Sequence, residues 1–348
     1  MLVAVAVAAS TGRTATPPPV ASFPPATATV PSASASPSAS PAASVAPTPD
    51  PSATAPTSAF RHIDATSCDP SVVPQASAAP LPSGSPSPGF ALRVPVLMYH
   101  RIAPYAQAIG SRPGLVVPPE VFAAQLDALE AAGWHAITAA QLADDLAAGV
   151  TPPARTFVIT IDDGWKDGYT FALPILQAHG FVATYYVIAG RINSGSFLDA
   201  WQLRALVAAG DEVGDHTVDH IGLANQPTQR LTYEIDAAAA TIASATGVWP
   251  RTFAYPSGSH DLRAELAVQA CATMTMAFVE GDAAYETWAN RFVVPRIRVT
   301  ADDKPASLLD ELATVPLLPP PTTSVPRKPG RSPRPGRSAN PGSSPSPS

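Results

Sequence analysis

The sequence predicts an α/β domain in which a mainly parallel sheet closes, or nearly closes, into a barrel with helices on its outside. Short apolar runs alternate with amphipathic helical segments between residues 94 and 318, the pattern of parallel strands joined by crossover helices. Seven or eight strands in about 225 residues favour a barrel over an open sheet. Polar residues follow several strands directly, and barrel enzymes place reactive groups at the carboxyl ends of strands.

Four strands and three helices are predicted in the first half of this region. The strands are short runs of apolar and β-branched residues, and Pro95 in the first one is compatible with a strand beginning or edge. The helices have apolar residues three or four positions apart, and the first ends at Gly133. In chain order we predict strand 94–99, helix 119–132, strand 135–138, helix 142–149, strand 156–161, helix 169–179 and strand 181–188.

The second half continues the alternation. Its longest helix carries Leu231, Ile235 and Ile242, whose spacing gives one apolar face. Two strands in succession and a final helix complete the domain. In chain order we predict helix 201–209, strand 212–214, helix 228–246, strand 252–255, helix 261–271, strand 274–279, strand 292–299 and helix 307–312.

Biased composition marks both ends of the chain. The chain has 348 residues, of which 42 are prolines. Only 14% of all residues are charged, against about 25% in typical globular domains. Residues 13–92 are dominated by Pro, Ser, Ala and Thr, and residues 316–348 are a basic Pro/Ser-rich tail. We predict disorder for both, because such segments bury too little apolar surface to offset chain entropy. The folded domain is then 93–315, and residues 1–12 resemble the end of a signal or anchor segment.

Composition also limits the partners. The net charge of −6 and the absence of a concentrated basic face on the predicted domain argue against nucleic acid. A long spacer suits a protein tethered to a membrane or crossing a wall, so we expect an extracellular or envelope location. We expect a monomer, although no feature of the sequence bears on the oligomeric state. Cys68 and Cys271 either pair outside the cell or remain two chemically idle thiols.

An acidic pair follows the strand at 156–161. Asp162 and Asp163 repel each other there, and a nearby cation would hold both carboxylates ionised. The alternative is a simple turn, in which aspartate caps the next helix and Gly164 takes a positive φ.

Two histidines follow a later strand. His216 and His220 stand four residues apart, so a helical turn would place both imidazoles on one face. One carboxylate added to this pair gives a three-ligand facial site for a divalent ion, with room for water and substrate. A packed or surface position is the alternative for each histidine.

The strings TIDDG, HTVDH and FAYPSG, in this order, resemble the polysaccharide deacetylases of the NodB-homology family. The resemblance implies a distorted barrel of about seven β/α units. It also implies that Asp162 is the general base and that Asp163, His216 and His220 bind one divalent ion. That ion would be zinc, with cobalt, nickel and iron as alternatives.

The opening VPVLMYHRI is similar to the branch that includes poly-β-1,6-N-acetylglucosamine deacetylases, which implies that His100 is the catalytic acid. A core histidine behind Tyr99 is the alternative. The third motif departs from the Arg-Pro-Pro-Tyr-Gly of many relatives. The arginine that orients the base is missing there, and Arg296 is the candidate substitute, although it would equally suit any acid near a strand end.

The family also assigns the substrate side of the site. Tyr255, Pro256 and Ser257 would border the substrate, with the Ser257 N–H donating to the oxyanion. Trp165 and Tyr255 would stack on sugar faces, with core packing as the alternative for each.

The expected activity is metal-dependent release of acetate from an N-acetylated amino-sugar polysaccharide, such as poly-N-acetylglucosamine, peptidoglycan or chitin. The alternatives are a non-catalytic wall-binding module and a small amide or ester metal hydrolase, such as an acetyl-xylan esterase.

Overall fold

A computed structural model describes residues 62–80, 84–281 and 286–314. The signal-like segment 1–12, most of the predicted spacer and the basic tail 316–348 lie outside these ranges. None of the helices in the described ranges combines the length and the apolar character that crossing a bilayer requires.

The predicted barrel is confirmed: seven parallel strands form a closed ring in the order β2, β6, β7, β8, β9, β10 and β12. The ring closes because β2 pairs with β12 on one side and with β6 on the other. The strand β5 pairs with the first half of β6 and lies outside the ring. The strands are β1 (Ala91–Leu92), β2 (Val96–Tyr99), β3 (Arg101–Ile102), β4 (Val116–Val117), β5 (His135–Ile137), β6 (Thr156–Ile161), β7 (Thr184–Val187), β8 (Glu212–Asp215), β9 (Thr252–Ala254), β10 (Met276–Glu280), β11 (Glu286–Thr287) and β12 (Val294–Arg298).

Helices cover the outside of the barrel at the places that the sequence predicts. They are α1 (Pro119–Ala131), α2 (Ala139–Ala148), α3 (Leu173–Ala178), α4 (Ala200–Ala208), α5 (Thr228–Thr232), α6 (Ala238–Thr246), α7 (Leu262–Ala270) and α8 (Pro305–Ala313). The predicted long helix 228–246 is present as α5 and α6, joined by a π-helical turn at Tyr233–Ala237. A second π-helical turn, Gly168–Ala172, leads into α3. Such turns often occur at functional sites.

The central strand β6 shows why this sequence folds as a barrel. All six of its residues are buried, as expected for a parallel strand covered on both faces. Phe157 packs edge-on against Trp134 and Phe181, at ring-centroid distances of 6.0 and 5.4 Å. This packing fixes the strand, and its carboxyl end then carries Asp162 and Asp163 to the rim of the barrel.

Part of the predicted spacer is folded. Residues 62–80, which we call the N-terminal strap, lie against α5, α6 and α7, whereas the sequence analysis began the domain at residue 93. Val73 is fully buried, and the Ile63 N–H donates to Thr241 Oγ1 at 3.0 Å. Cys68 and Cys271 form a disulfide, so the pairing alternative holds. Average composition missed the strap because a few apolar residues and one covalent link suffice to anchor it.

Candidate active site

A cavity of about 570 Å³ opens at the carboxyl ends of the barrel strands. Its lining brings together most of the site residues that the sequence predicts. They are His100, Asp162, Asp163, His216, His220, Tyr255, Ser257 and Arg296. Pro256 is buried beneath the rim, in the same short turn as Ser257. Closure of the barrel therefore assembles groups that come from five different strand ends.

Three of these side chains converge on one point. Asp163 Oδ1 lies 3.3 Å from His220 Nε2 and 3.7 Å from His216 Nε2. All three potential ligand atoms are within 4.8 Å of one another. The second such group in the described residues contains Cys68 and Cys271, whose sulfur atoms are already joined as a disulfide.

These residues fit a divalent cation. His216 donates its Nδ1–H to the Ala254 carbonyl at 2.7 Å, which leaves the Nε2 lone pair facing Asp163 and His220. Burial lowers the pKa of His216, so the imidazole is neutral at pH 7. Metal-binding histidines have this arrangement, in which the second ring nitrogen donates to a carbonyl or carboxylate. Two nitrogens and one carboxylate oxygen match the preferred donors of zinc and related ions.

The loop that carries both histidines is irregular, so the two imidazoles meet without the helical turn that was the condition for a shared face. Thr217 and His220 have φ angles of 68° and 58°, in the left-handed region that non-glycine residues seldom occupy. Side-chain oxygens hold this backbone: Asp215 Oδ1 accepts from the Thr217 N–H, and Thr217 Oγ1 accepts from the His220 N–H. The two imidazole centroids are 4.8 Å apart as a result.

Glu234 completes the support of this loop, and the sequence analysis missed it. Its Oε2 accepts hydrogen bonds from the N–H groups of Val218 and Asp219, both at 3.0 Å. Glu234 is fully buried and lies in the π-helical turn between α5 and α6. The interval of about fifteen residues matches no local spacing rule, although an acidic residue on an otherwise apolar helix face was a usable signal.

Arg296 forms a bidentate ion pair with Asp162, with both N···O distances at 2.7 Å. Both residues are almost completely buried. Burial by itself would raise the pKa of Asp162, but the charge and hydrogen bonds of Arg296 help to lower it to about 2. Arg296 Nη1 also donates to Thr160 Oγ1. Asp162 is therefore ionised at neutral pH, and Arg296 occupies the partner position that the sequence left open.

His100 lies on the same cavity wall, at the end of β2. Burial lowers its pKa, while the nearby charges of Asp162 and Asp163 oppose that effect. The imidazole is thus mainly neutral at pH 7 in the substrate-free protein. Its place in the cavity argues against the alternative of a histidine packed away behind Tyr99.

The third motif forms a tight turn at the cavity edge. Ser257 is exposed and has a φ of 54° and a ψ of 22°. It is the second residue of a 3₁₀ turn, so its N–H has no acceptor within that turn. Tyr255 is only 1% exposed and packs edge-on against Phe253. Tyr255 therefore follows the core-packing alternative and does not present its ring face to a sugar.

Trp165 also differs from the predicted sugar platform. Phe197 stacks on its ring at a centroid distance of 4.3 Å, and the Arg101 guanidinium lies 4.3 Å from the ring centroid. These protein contacts cover part of the indole surface that a sugar would need, and Trp165 is only partly exposed. The indole N–H instead donates to Asp163 Oδ2 at 3.1 Å.

Comparison with known proteins agrees with this geometry. Residues 149–276 match the family model for polysaccharide deacetylase. The YxkH protein of Bacillus subtilis (strain 168) is 29% identical over 143 residues, which are 41% of this chain and 49% of YxkH. The chain thus spans about half the length of this curated relative.

Solved structures share the barrel. The deacetylase PplD of Streptococcus pyogenes, in complex with acetate, superposes with a TM-score of 0.57 and 25% identity, covering 64% of this chain and 99% of PplD. IcaB from Ammonifex degensii has a TM-score of 0.54 and 24% identity, covering 64% of this chain and 97% of IcaB, which shows the shared fold. The barrel, its rim and the matched segment 149–276 together support a polysaccharide deacetylase domain of the NodB-homology type in this chain.

Proposed function

We propose that this protein removes N-acetyl groups from an amino-sugar polysaccharide in a metal-dependent hydrolysis that releases acetate. The observation that carries the proposal is the pairing of two features in one cavity. A two-histidine, one-carboxylate cluster lies beside a second carboxylate, Asp162, which Arg296 keeps ionised. One feature suits a cation and the other suits proton removal from water.

In this proposal Asp163, His216 and His220 hold the ion. A divalent ion at such a site supplies Lewis acidity for activating water and polarising a carbonyl group. The His216 ring is neutral, and the strained loop holds His216 and His220 so that their ring nitrogens need not rearrange to bind the ion. Preorganised ligands of this kind favour tight binding.

Asp162 acts as the general base. Its pKa of about 2 keeps Asp162 unprotonated at neutral pH. The bidentate contact with Arg296 fixes the orientation of its carboxylate. It takes a proton as water attacks the acetamide carbonyl. The Ser257 N–H donates to the oxygen that gains negative charge, a type of contact worth about 3 to 4 kcal/mol in the transition state.

His100 gives a proton to the departing amine. Because burial lowers its pKa, this step requires that His100 hold a proton when the carbon–nitrogen bond breaks. The expected signature is a loss of kcat at high pH in the wild-type protein that is absent from the residual activity of His100→Ala.

The matched family model supports a polymer as the substrate, because its description is polysaccharide deacetylase. The solved relative PplD, described as a deacetylase in complex with acetate, supports acetate as the product. The disulfide-linked strap fits an extracellular or envelope location, because disulfides persist in oxidising compartments. We include in this proposal tethering through the segment before the strap, zinc as the ion and a monomeric state.

An ester hydrolase acting on acetylated xylan is the second candidate, since the same site chemistry attacks O-acetyl groups. A non-catalytic binding module is less well supported, because Asp162 and all three potential ligands are retained and converge.

The test is acetate release from defined oligosaccharides after chelator treatment and re-addition of single metals. The panel contains chitin oligomers, β-1,6-linked N-acetylglucosamine oligomers, peptidoglycan fragments and acetylated xylan. We expect release from an N-acetylated member that chelation abolishes and zinc restores. Release from xylan alone would favour the esterase, and release from none would favour the binding module.

Matched variants assign the residues. Asp162→Asn should abolish acetate release while metal content stays near wild type, whereas loss of metal would mean that the base and ligand roles are exchanged. His100→Ala should retain metal and lower kcat, and an unchanged kcat would remove His100 from the mechanism.

A further inference from the structure

We propose that Trp165 is a positioning residue for the metal: its indole N–H orients the Asp163 carboxylate so that the other oxygen of that carboxylate faces the two histidines. This inference rests on the proposed metal site. It adds a residue for which the sequence suggested only sugar stacking or core packing.

The two oxygens of Asp163 have different partners. Oδ2 accepts the hydrogen bond from Trp165 Nε1 at 3.1 Å. Oδ1 lies 3.3 Å from His220 Nε2 and 3.7 Å from His216 Nε2. A carboxylate can rotate and exchange its oxygens, so a donor on Oδ2 favours the one orientation in which Oδ1 is directed at both imidazoles.

The backbone around Asp163 is itself unusual. Asp163 has a φ of 74°, in the left-handed region, and Gly164 follows with the same φ of 74°. An added Cβ at Gly164 would lie 3.0 Å from the Val187 side chain, so the chain is closely packed there. These constraints fix the position of the Asp163 backbone and Cβ, and the Trp165 N–H fixes the orientation of the Asp163 carboxylate.

The indole can do this because it is held on several sides. Trp165 forms an isolated antiparallel bridge with Phe197, and the two rings stack with an interplanar angle of 25°. Arg101 lies over the indole and is anchored by a buried ion pair with Asp167 at 2.6 Å. Because the indole is already held in place, its N–H loses little entropy when it bonds the Asp163 carboxylate. The hydrogen bond can therefore contribute to metal affinity.

The expected size of the effect follows from the position of the donor. Removal of a hydrogen-bond partner of a metal ligand typically weakens metal affinity 10- to 100-fold. Trp165→Phe removes the N–H and retains an aromatic ring for Phe197 and Arg101. The matched control is Trp201→Phe, because Trp201 is 40% exposed, packs edge-on against Tyr169 and does not line the cavity.

The experiment measures the Kd of the full chain for Zn²⁺ by competition with a chromophoric chelator, together with the visible spectrum of the Co²⁺-substituted protein. We expect Trp165→Phe to weaken zinc binding about 10- to 100-fold and to alter the cobalt spectrum. The control should stay within about twofold of wild type. The metal-free proteins should melt at similar temperatures, which a merely structural role of Trp165 would not allow.

A second substitution covers the case in which Trp165→Phe does not fold. Replacement of Trp165 by 3-benzothienylalanine keeps the bicyclic ring and exchanges the N–H for sulfur, so the same loss of zinc affinity is expected. Zinc affinity within about twofold of wild type in either substituted protein would overturn the inference while leaving the metal site intact. A wild-type protein that binds no divalent metal would overturn the proposed function as well.

Discussion

Replacement of Arg296 by methionine is the most informative single perturbation of this barrel. Methionine replaces the aliphatic stem of arginine but carries no charge, so the substitution removes the bidentate partner of Asp162 and leaves that carboxylate buried. Removing one partner of a buried ion pair costs about 3–5 kcal/mol, chiefly because the remaining charge is uncompensated.

The pH dependence of this cost can be worked out from the ion pair. In the wild-type protein burial opposes ionisation of Asp162, yet Arg296 helps to bring its pKa from the usual 3.8 to about 2. That difference corresponds to about 2 kcal/mol of stability. Because the pKa of the folded state is lowered, this stabilisation is fully present above pH 3.8 and is lost as the pH falls towards 2. In Arg296→Met burial raises the pKa of Asp162 instead. The free energy of unfolding of the variant therefore falls furthest below that of the wild type at neutral pH.

The assay is urea unfolding of the chelator-treated protein with its disulfide intact. We expect the free energy of unfolding of Arg296→Met to lie about 3–5 kcal/mol below wild type near neutral pH. The gap should narrow as the pH falls from neutral towards 2, because Asp162 is protonated above pH 3.8 in the folded variant and only near pH 2 in the folded wild type.

A double variant serves as the control. Asp162→Asn combined with Arg296→Met has no buried charge, so it should be more stable than Arg296→Met alone. The reasoning would be refuted by a single variant as stable as wild type, by a stability gap that does not change with pH, or by a double variant that loses the sum of both single effects.

Three further predictions concern the support of the fold and the site. Replacing Cys68 and Cys271 by serine should lower the free energy of unfolding by about 2–5 kcal/mol, since their disulfide closes a loop with a sequence separation of 203. Thermal unfolding with and without reductant tests this, and a wild-type melting temperature that does not change with reductant would contradict it. Burial raises the pKa of Asp211 to about 7, so protonation of this carboxyl favours the folded state and its contribution is lost as the pH rises from about 4 to 7. Asp211→Asn should therefore flatten the stability profile in that window, and an unchanged profile from urea titrations would argue against it. Glu234→Ala leaves two loop N–H groups without their acceptor. This change should lower the free energy of unfolding by about 2–4 kcal/mol and weaken zinc binding. An unchanged zinc affinity by calorimetry would show that the loop holds its shape without Glu234.

The sequence predicted most of the elements because their signals are local. The strand 156–161 is a continuous apolar and β-branched run, and the structure confirms it with the same bounds as β6. The long helix 228–246 was predicted from its apolar spacing, but the π-helical turn within it was not. Glu234 lies in that turn and reaches the histidine loop, a contact that spacing along the helix does not reveal.

The candidate site was predicted in part for the same reason. Asp162, Asp163, His216 and His220 follow strands directly, and parallel strands in a barrel end on one rim, so their proximity could be inferred. The two histidines meet without a helical turn, because side-chain oxygens stabilise positive φ angles at Thr217 and His220 instead.

By itself, the sequence determined which chemical groups stand at the rim, since the strand pattern and the residues that follow each strand are properties of neighbouring positions. Only the tertiary structure decided how these groups are paired: Arg296 with Asp162 across 134 residues, Trp165 with Oδ2 of Asp163, and Cys68 of the strap with Cys271, directly after α7, through a disulfide. The physical reason is that these contacts form only when the barrel closes, because closure brings distant strand ends together and packs Phe197 and Arg101 against the Trp165 indole.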